Sequence, residues 1–415
     1  RQRENVALLE GSRIAPLANP AGLDEGARAK AKAGGGAKAA SPVRPLTLRI
    51  SLEELRAALV GEGAVPGEVL LTFKNAKELA DFRTRASLYG LKVLGADARL
   101  LSARVGYSDL GRLAEELNQH PNSYENVAAN LVARIPGLPP PRGPQLDASN
   151  QGGGVPVADG LFDSIGAAGD RTGWGRNVKV AVLDSGITDH ETLNGLRREQ
   201  IKMVDSQAAP HGHGTSMASL IGGRVYPAEG VAPGVELLDI WVADAQGMSN
   251  TALVATGIMT AVDKGAQVIN ISLGSFGSSL MLQNAVQYAI NNGVVIVAAA
   301  GNEQLDQLAF PAAYPGVIAV GAVDNQRRQA YFSNSGKGLT LAAPGVGIIS
   351  AYPGGQVVVG SGTSQATAIT SGAVAALLGW GYKPSEVAKA LAQSALATGA
   401  PPEQVGAGVL QIPRR

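Results

Sequence analysis

The run "KVAVLD" (residues 179–184) is apolar at four successive positions and closes on an aspartate. A strand without a polar face has to be covered on both sides, the condition of a parallel sheet held between two layers of helices. The same texture returns in "VELLDIWVAD" (235–244), "AQVINISLG" (266–274), "GVVIVAAAGN" (293–302) and "GVIAVGAV" (316–323). Between these runs lie stretches with helical spacing, such as "NTALVATGIMTAVDKG" (250–265) and "SLMLQNAVQYAINNG" (279–293), each ending on a glycine that suits a helix stop. These features predict an α/β fold, a doubly wound, mainly parallel sheet. Ligands of such sheets gather beyond the carboxyl ends of the strands.

The residues at those ends carry chemistry. Asp184 ends the first run, before Ser185-Gly186, and Asn302 ends the fourth. "PHGHGTSMAS" (210–219) holds two of the four histidines; Met217, Leu220 and Ile221 follow His213 at helical spacing and put it at a helix start. In "GSGTSQATAITSGAVAALL" (360–378), Ser364 opens a helix whose buried face is made of small residues, where unpaired backbone N–H groups can hold an oxyanion. Each has an ordinary reading alone: Asp as turn former, His and Ser as helix caps. Together they are residues of the proton-relay type in the order Asp, His, Ser, with an amide donor beside them.

"VAVLDSGI" (180–187), "GHGT" (212–215), "AAGN" (299–302) and "GTSQAT" (362–367) resemble the four signature segments of the subtilases, the subtilisin-like serine proteases, over residues 159–415. The Asp…His…Ser order is the one for which subtilisin is the standard example. The resemblance implies Ser364 as nucleophile, His213 as its general base, and Asp184 as the group that orients the imidazole. It implies Asn302 and the Ser364 N–H as the oxyanion hole. Ser272, Leu273 and Gly274 resemble the strand that pairs with substrate, Gly247, Met248 and Ser249 the opposite edge, and Ala299, Ala300 and Gly301 a wall of the specificity pocket. Ala309 falls near the pocket floor and Glu303 near its rim, which implies medium apolar residues with tolerance of a basic one. His211 does not match the motif and is expected to face solvent.

The N-terminal half has a different texture. Residues 27–43, "ARAKAKAGGGAKAASPV", have almost no bulky apolar groups, and 1–46 reads as a flexible lead-in. From Ser51, with Glu54 three residues on as a capping box, the order becomes helix, then β-α-β-β-α-β to about Arg134, a small α+β ferredoxin-like domain over 47–135. Asn75 with Glu78 opens its next helix, and Asp109 the last. "IPGLPPPRGPQLDASNQGGGVP" (135–156) is too rich in Pro and Gly for regular structure, so 136–158 reads as a linker. By position and topology the small domain resembles the inhibitory propeptides that precede many subtilases. That implies an intramolecular inhibitor and self-processing within 136–158, near "ASNQGGG" (148–154), and a secreted or otherwise extracytoplasmic enzyme.

Composition bounds the alternatives. With 415 residues, 45% hydrophobic and 17% charged, the chain can bury a large core. Thirty-five basic against 34 acidic residues give no sign of a nucleic-acid or anionic-membrane partner, and no apolar run is long enough to span a bilayer; peptide or protein substrates are what the family resemblance implies. No cysteine is present, which excludes disulfides, thiolate nucleophiles and Cys-based zinc sites. Two rival readings stay open: a catalytically silent subtilase-like binding module, and a His/Asp metal site built from Asp189, His190, His211 and His213. An esterase or acyl transferase would use the same three residues. No cofactor or catalytic metal is expected. Thr192 in "HETL" (190–193) stands where the family often has a calcium-binding carboxylate, and "GGRVYPAEGVAP" (222–233) lacks the Asn-rich stretch that completes that site. Calorimetric titration with calcium is expected to give no tight binding at this loop.

Overall fold

The computed structural model describes residues 49–61, 63–137, 157, 160–205 and 208–413. The expected lead-in and most of the linker, including 148–154, lie outside the described residues.

The N-terminal unit comprises α1 (Leu52–Leu59), β1 (Ala64–Phe73), α2 (Ala76–Arg85), β2 (Lys92–Asp97), β3 (Ser102–Gly106), α3 (Leu110–Gln119) and β4 (Tyr124–Arg134). Its strands lie in the antiparallel order β2-β3-β1-β4, the split βαβ arrangement that the sequence predicts. Ser51 makes the full capping box with Glu54. At α2 the box is only half made: Asn75 accepts from Glu78 N, but the Glu78 carboxylate accepts from Ser123 Oγ instead of turning back. Leu55, Leu59, Leu79, Phe82, Leu113 and Leu117 meet Val69, Leu71, Phe73 and Val127 in one core. Leu70, between two of these on β1, points to the opposite face and packs with the C-terminal unit.

The C-terminal unit is built on seven parallel strands: β5 (Lys179–Asp184), β6 (Arg198–Lys202), β7 (Glu236–Trp241), β9 (Val268–Ile271), β10 (Val295–Ala299), β11 (Ile318–Val323) and β12 (Leu341–Pro344), in the order β12-β11-β10-β9-β5-β7-β6. All five predicted apolar runs are strands of this sheet. The edge strand β6, "REQIK", alternates exposed and half-buried residues and has Ile201 as its single apolar one, and so carries no apolar run for the sequence to show. Alternation divides the core. Val180, Val182, Val295 and Val297 face α4 (His213–Gly222), α7 (Thr363–Gly379) and α8 (Pro384–Ser394). Ala181, Leu183, Ile296 and Ala298 face α5 (Thr251–Asp263) and α6 (Leu280–Asn291). Every residue of α7 from Thr363 to Leu377 is buried, which a helix rich in Ala, Gly, Ser and Thr permits because neighbours approach it closely nearly all round.

The short strand β8 (Met248–Asn250) pairs not with the large sheet but with β4, aligning Val132, Ala133 and Arg134 with Asn250, Ser249 and Met248. Asn130 Oδ1 accepts from Thr251 Oγ1 and Ala252 N at the start of α5, and Arg99 bridges to Asp263 at its end. No described helix is long and apolar enough to cross a membrane.

Candidate active site

Asp184 ends β5 and is fully buried. Ser185 N and Oγ donate to its Oδ1 at 2.8 and 3.1 Å. The strand leaves the site through Gly186, at φ +89°, where a Cβ would overlap the Trp241 ring, 1.4 Å from Nε1. His213 is the first residue of α4 and is 6% exposed. Its Nδ1 lies 2.9 Å from both Asp184 carboxylate oxygens. The two loops are in backbone contact, since a Cβ on Gly214 would stand 2.5 Å from Gly186 O. An imidazole held this way has its Nδ1 occupied and its Nε2 directed elsewhere.

Ser364 is the second residue of α7. Asn302 is fixed by Thr363, whose N and Oγ1 donate to Asn302 Oδ1 at 2.9 and 2.8 Å. This leaves the amide nitrogen facing Gly362, whose missing Cβ would lie 3.1 Å from Asn302 Nδ2 and 3.7 Å from Ser364 N. Two N–H donors thus flank one small space. Ser364 Oγ donates to Ser272 O at 3.3 Å and, among the described residues, makes no hydrogen bond with His213.

The remaining predicted residues form a cleft that is filled by the chain itself. Arg134 N donates to Gly274 O at 2.9 Å and Gly274 N to Arg134 O at 3.0 Å. On the other side Ile135 N donates to Gly247 O at 2.9 Å, and Arg134 and Ala133 align with Met248 and Ser249. Residues 132–135 are therefore a strand between two edges. Pro136 follows and lines a small pocket with Leu273, Gly274, Ala299, Gly301, Glu303 and Ala309. Ala300 is not part of that wall; it is fully buried, its carbonyl accepting from Ala309 N and Asn334 Nδ2. Glu303 accepts from Asn334 Nδ2 at 3.0 Å, and burial pushes its carboxyl above the usual range.

His211 departs from expectation. It is half-buried rather than solvent-facing, with its ring 6.5 Å from that of His213. Its Nδ1 is buried without a hydrogen-bond partner among the described residues, and burial, then the neighbouring His213, lower its pKa. The His/Asp metal reading fails on geometry. His190 accepts from Thr192 N at Nδ1 and reaches Gln356 O through Nε2, while Asp189 is exposed beside Arg198. No group of three potential ligands stands together among the described residues.

Sequence reading missed Asp239. This carboxyl is fully buried on β7, and its Oδ2 accepts from Ile187 N at 2.9 Å and Gln200 Nε2 at 2.6 Å. It thereby ties down the loop that follows Asp184. Burial, reinforced by Asp184, pushes its pKa to about 7, against the pull of those hydrogen bonds and of Arg198. The signal was present as the one charge inside "LLDIWV", an interior position where an acid is rare.

A buried carboxylate–imidazole pair, a serine at a helix start and converging N–H donors at the carboxyl edge of a parallel sheet define a class, the α/β serine hydrolases. The sequence profile of the Subtilase family matches residues 175–408. The chain belongs to the subtilase family and is a subtilisin-like serine protease. It is 40% identical to subtilisin Savinase of Lederbergia lenta over 214 residues, 50% of this chain and 79% of that protein. It is 39% identical to subtilisin E of Bacillus subtilis (strain 168) over 215 residues, 49% of this chain and 56% of that one. Among solved structures, fervidolysin from Fervidobacterium pennivorans, a keratinolytic enzyme related to subtilisin, superposes with a TM-score of 0.71 at 25% identity. That match covers 86% of this chain and 61% of the other. The protease domain of PatA gives a TM-score of 0.56 at 34% identity, over 59% and 95%.

The raised pKa of Asp239 has a definite sign. The folded protein holds this proton to about pH 7, whereas the unfolded chain releases it near 3.8. Its contribution to stability is full below pH 4 and is lost as the pH rises through 7. In a Ser364→Ala background, thermal melts are expected to show this decline, and Asp239→Asn is expected to flatten it between pH 4 and 7.

Proposed function

We propose that the chain is a serine endopeptidase made as a self-inhibited precursor. Ser364 attacks the peptide carbonyl; His213 accepts the hydroxyl proton and returns it to the leaving amine; Asp184 orients the ring and stabilises its charged form. The tetrahedral oxyanion rests between Asn302 Nδ2 and Ser364 N, and water then hydrolyses the acyl-enzyme. Residues 47–135 act as an intramolecular inhibitor, 136–158 as the segment that is cut, and 159–415 as the catalytic domain. The observation that carries this reading is the chain's own strand, 132–135, hydrogen-bonded on both sides to the edges at 247–250 and 274. A peptide substrate entering by strand addition would use the same bonds. Substrates are peptides or proteins, with no nucleic acid, and the site of action is secreted or extracytoplasmic, in keeping with the family resemblance.

One observation favours the rival, a silent binding module: the Ser364 hydroxyl is turned to Ser272 O and not to His213. Fluorophosphonate treatment separates the two. A single adduct at Ser364, on a chain shortened by its N-terminal part, supports the protease; a chain that stays uncut, and takes no adduct even after trypsin has removed its N-terminal unit, supports the silent module.

Ser364→Ala is expected to abolish hydrolysis of casein, by on the order of a million-fold in turnover, while leaving the melting temperature in place. Asn302→Ala is expected to lower kcat by about 100- to 1,000-fold with little change in KM, since the amide is proposed to meet its partner charge only in the transition state. Steady-state kinetics on a peptide anilide check both, using subtilisin as the source of scale.

A further inference from the structure

Arg134 and Gly274 exchange both backbone hydrogen bonds, which makes them a hydrogen-bonded pair of an antiparallel ladder. The next such pair lies two residues along each strand, in opposite directions: 136 with 272. At that step the inserted strand should donate an N–H to Ser272 O. Residue 136 is proline, which has no hydrogen to give. Ser272 O is left without its ladder partner, and the group that takes it is the hydroxyl of Ser364, at 3.3 Å. Pro136 meanwhile lines the same pocket as Ala299, Gly301, Glu303 and Ala309.

We propose that the bond self-cleaved in the precursor is Pro136–Gly137, and that Pro136 slows this cleavage by leaving Ser272 O free to hold the Ser364 hydroxyl away from His213. The inference rests on the protease reading above and names the site and its brake. In the step, Ser364 Oγ bonds to the Pro136 carbonyl carbon and the bond to Gly137 N breaks. The hydroxyl proton passes through His213 to that nitrogen, and water then hydrolyses the ester. A residue with an N–H at 136 would occupy Ser272 O and release Ser364. The proline makes the seated strand a slow substrate, so the inhibited form persists after folding.

The test follows full-length wild type, Pro136→Ala and Pro136→Leu by intact mass and N-terminal sequencing at neutral pH. Ser364→Ala versions serve as blanks. Cleavage is expected to give a new N-terminus at Gly137, about tenfold faster in both Pro136 variants, the rate equivalent of one backbone hydrogen bond. The Ser364→Ala chains stay intact. Equal rates in all three chains, or a first cut elsewhere such as in 148–154, overturn the inference. So do chains that stay uncut yet hydrolyse casein once trypsin has removed the N-terminal unit, and in that case the protease reading stands. Uncut chains with no casein hydrolysis after that removal refute the protease reading itself.

Discussion

The structure depends on one helix being buried on every side. From Thr363 to Leu377 the chain has no exposed face, and its neighbours are the strands of the large sheet and the helix that begins at His213. Such packing is helped by the many small side chains, and it fixes the helix to within the tolerance of a close-packed core. The N-terminal end of that helix falls at the carboxyl edge of the sheet. Thr363, Ser364 and Asn302 are therefore locked relative to one another, and the Thr363 bonds to Asn302 complete the lock. A larger residue on this helix would disturb the core and the site together.

The second constraint is the missing Cβ at three glycines. Gly186 and Gly214 let the end of β5 and the start of α4 come into backbone contact, and Gly362 lets the serine turn close on Asn302, where any Cβ would collide or crowd. Close approach leaves Asp184 out of water, its carboxylate satisfied among the described residues by His213 and Ser185, so the pair must stay together. Asp239 extends this arrangement into the structure behind. Its carboxyl holds Ile187 N and so braces the turn by which Asp184 leaves the strand.

The N-terminal unit is joined to this machinery by backbone geometry more than by side chains. Its last strand continues between two edges that would otherwise expose unpaired N–H and C=O groups. Leu70 and Leu100 add apolar contact beside it, and Asn130 caps the helix that starts just past the cleft. One proline in that strand leaves a single rung of the ladder unmade, and the serine hydroxyl fills the gap.

Much of this was legible in the sequence, and for a local reason. Apolar runs such as "KVAVLD" report burial on both faces, and glycine-flanked Asp, His and Ser report tight turns at element ends. Each signal is confined to a few residues, so order and type suffice to read it. The sheet order, the edge strand at 198–202, the half-buried state of His211 and the withdrawal of Ala300 from the pocket wall were not readable. Each is decided by what packs against a residue from elsewhere in the chain. The same holds for the cleft. Sequence determined that a proline follows Ile135; only the tertiary structure, by pairing Arg134 with Gly274, decided that this proline stands opposite Ser272, because register is set by long-range hydrogen bonds.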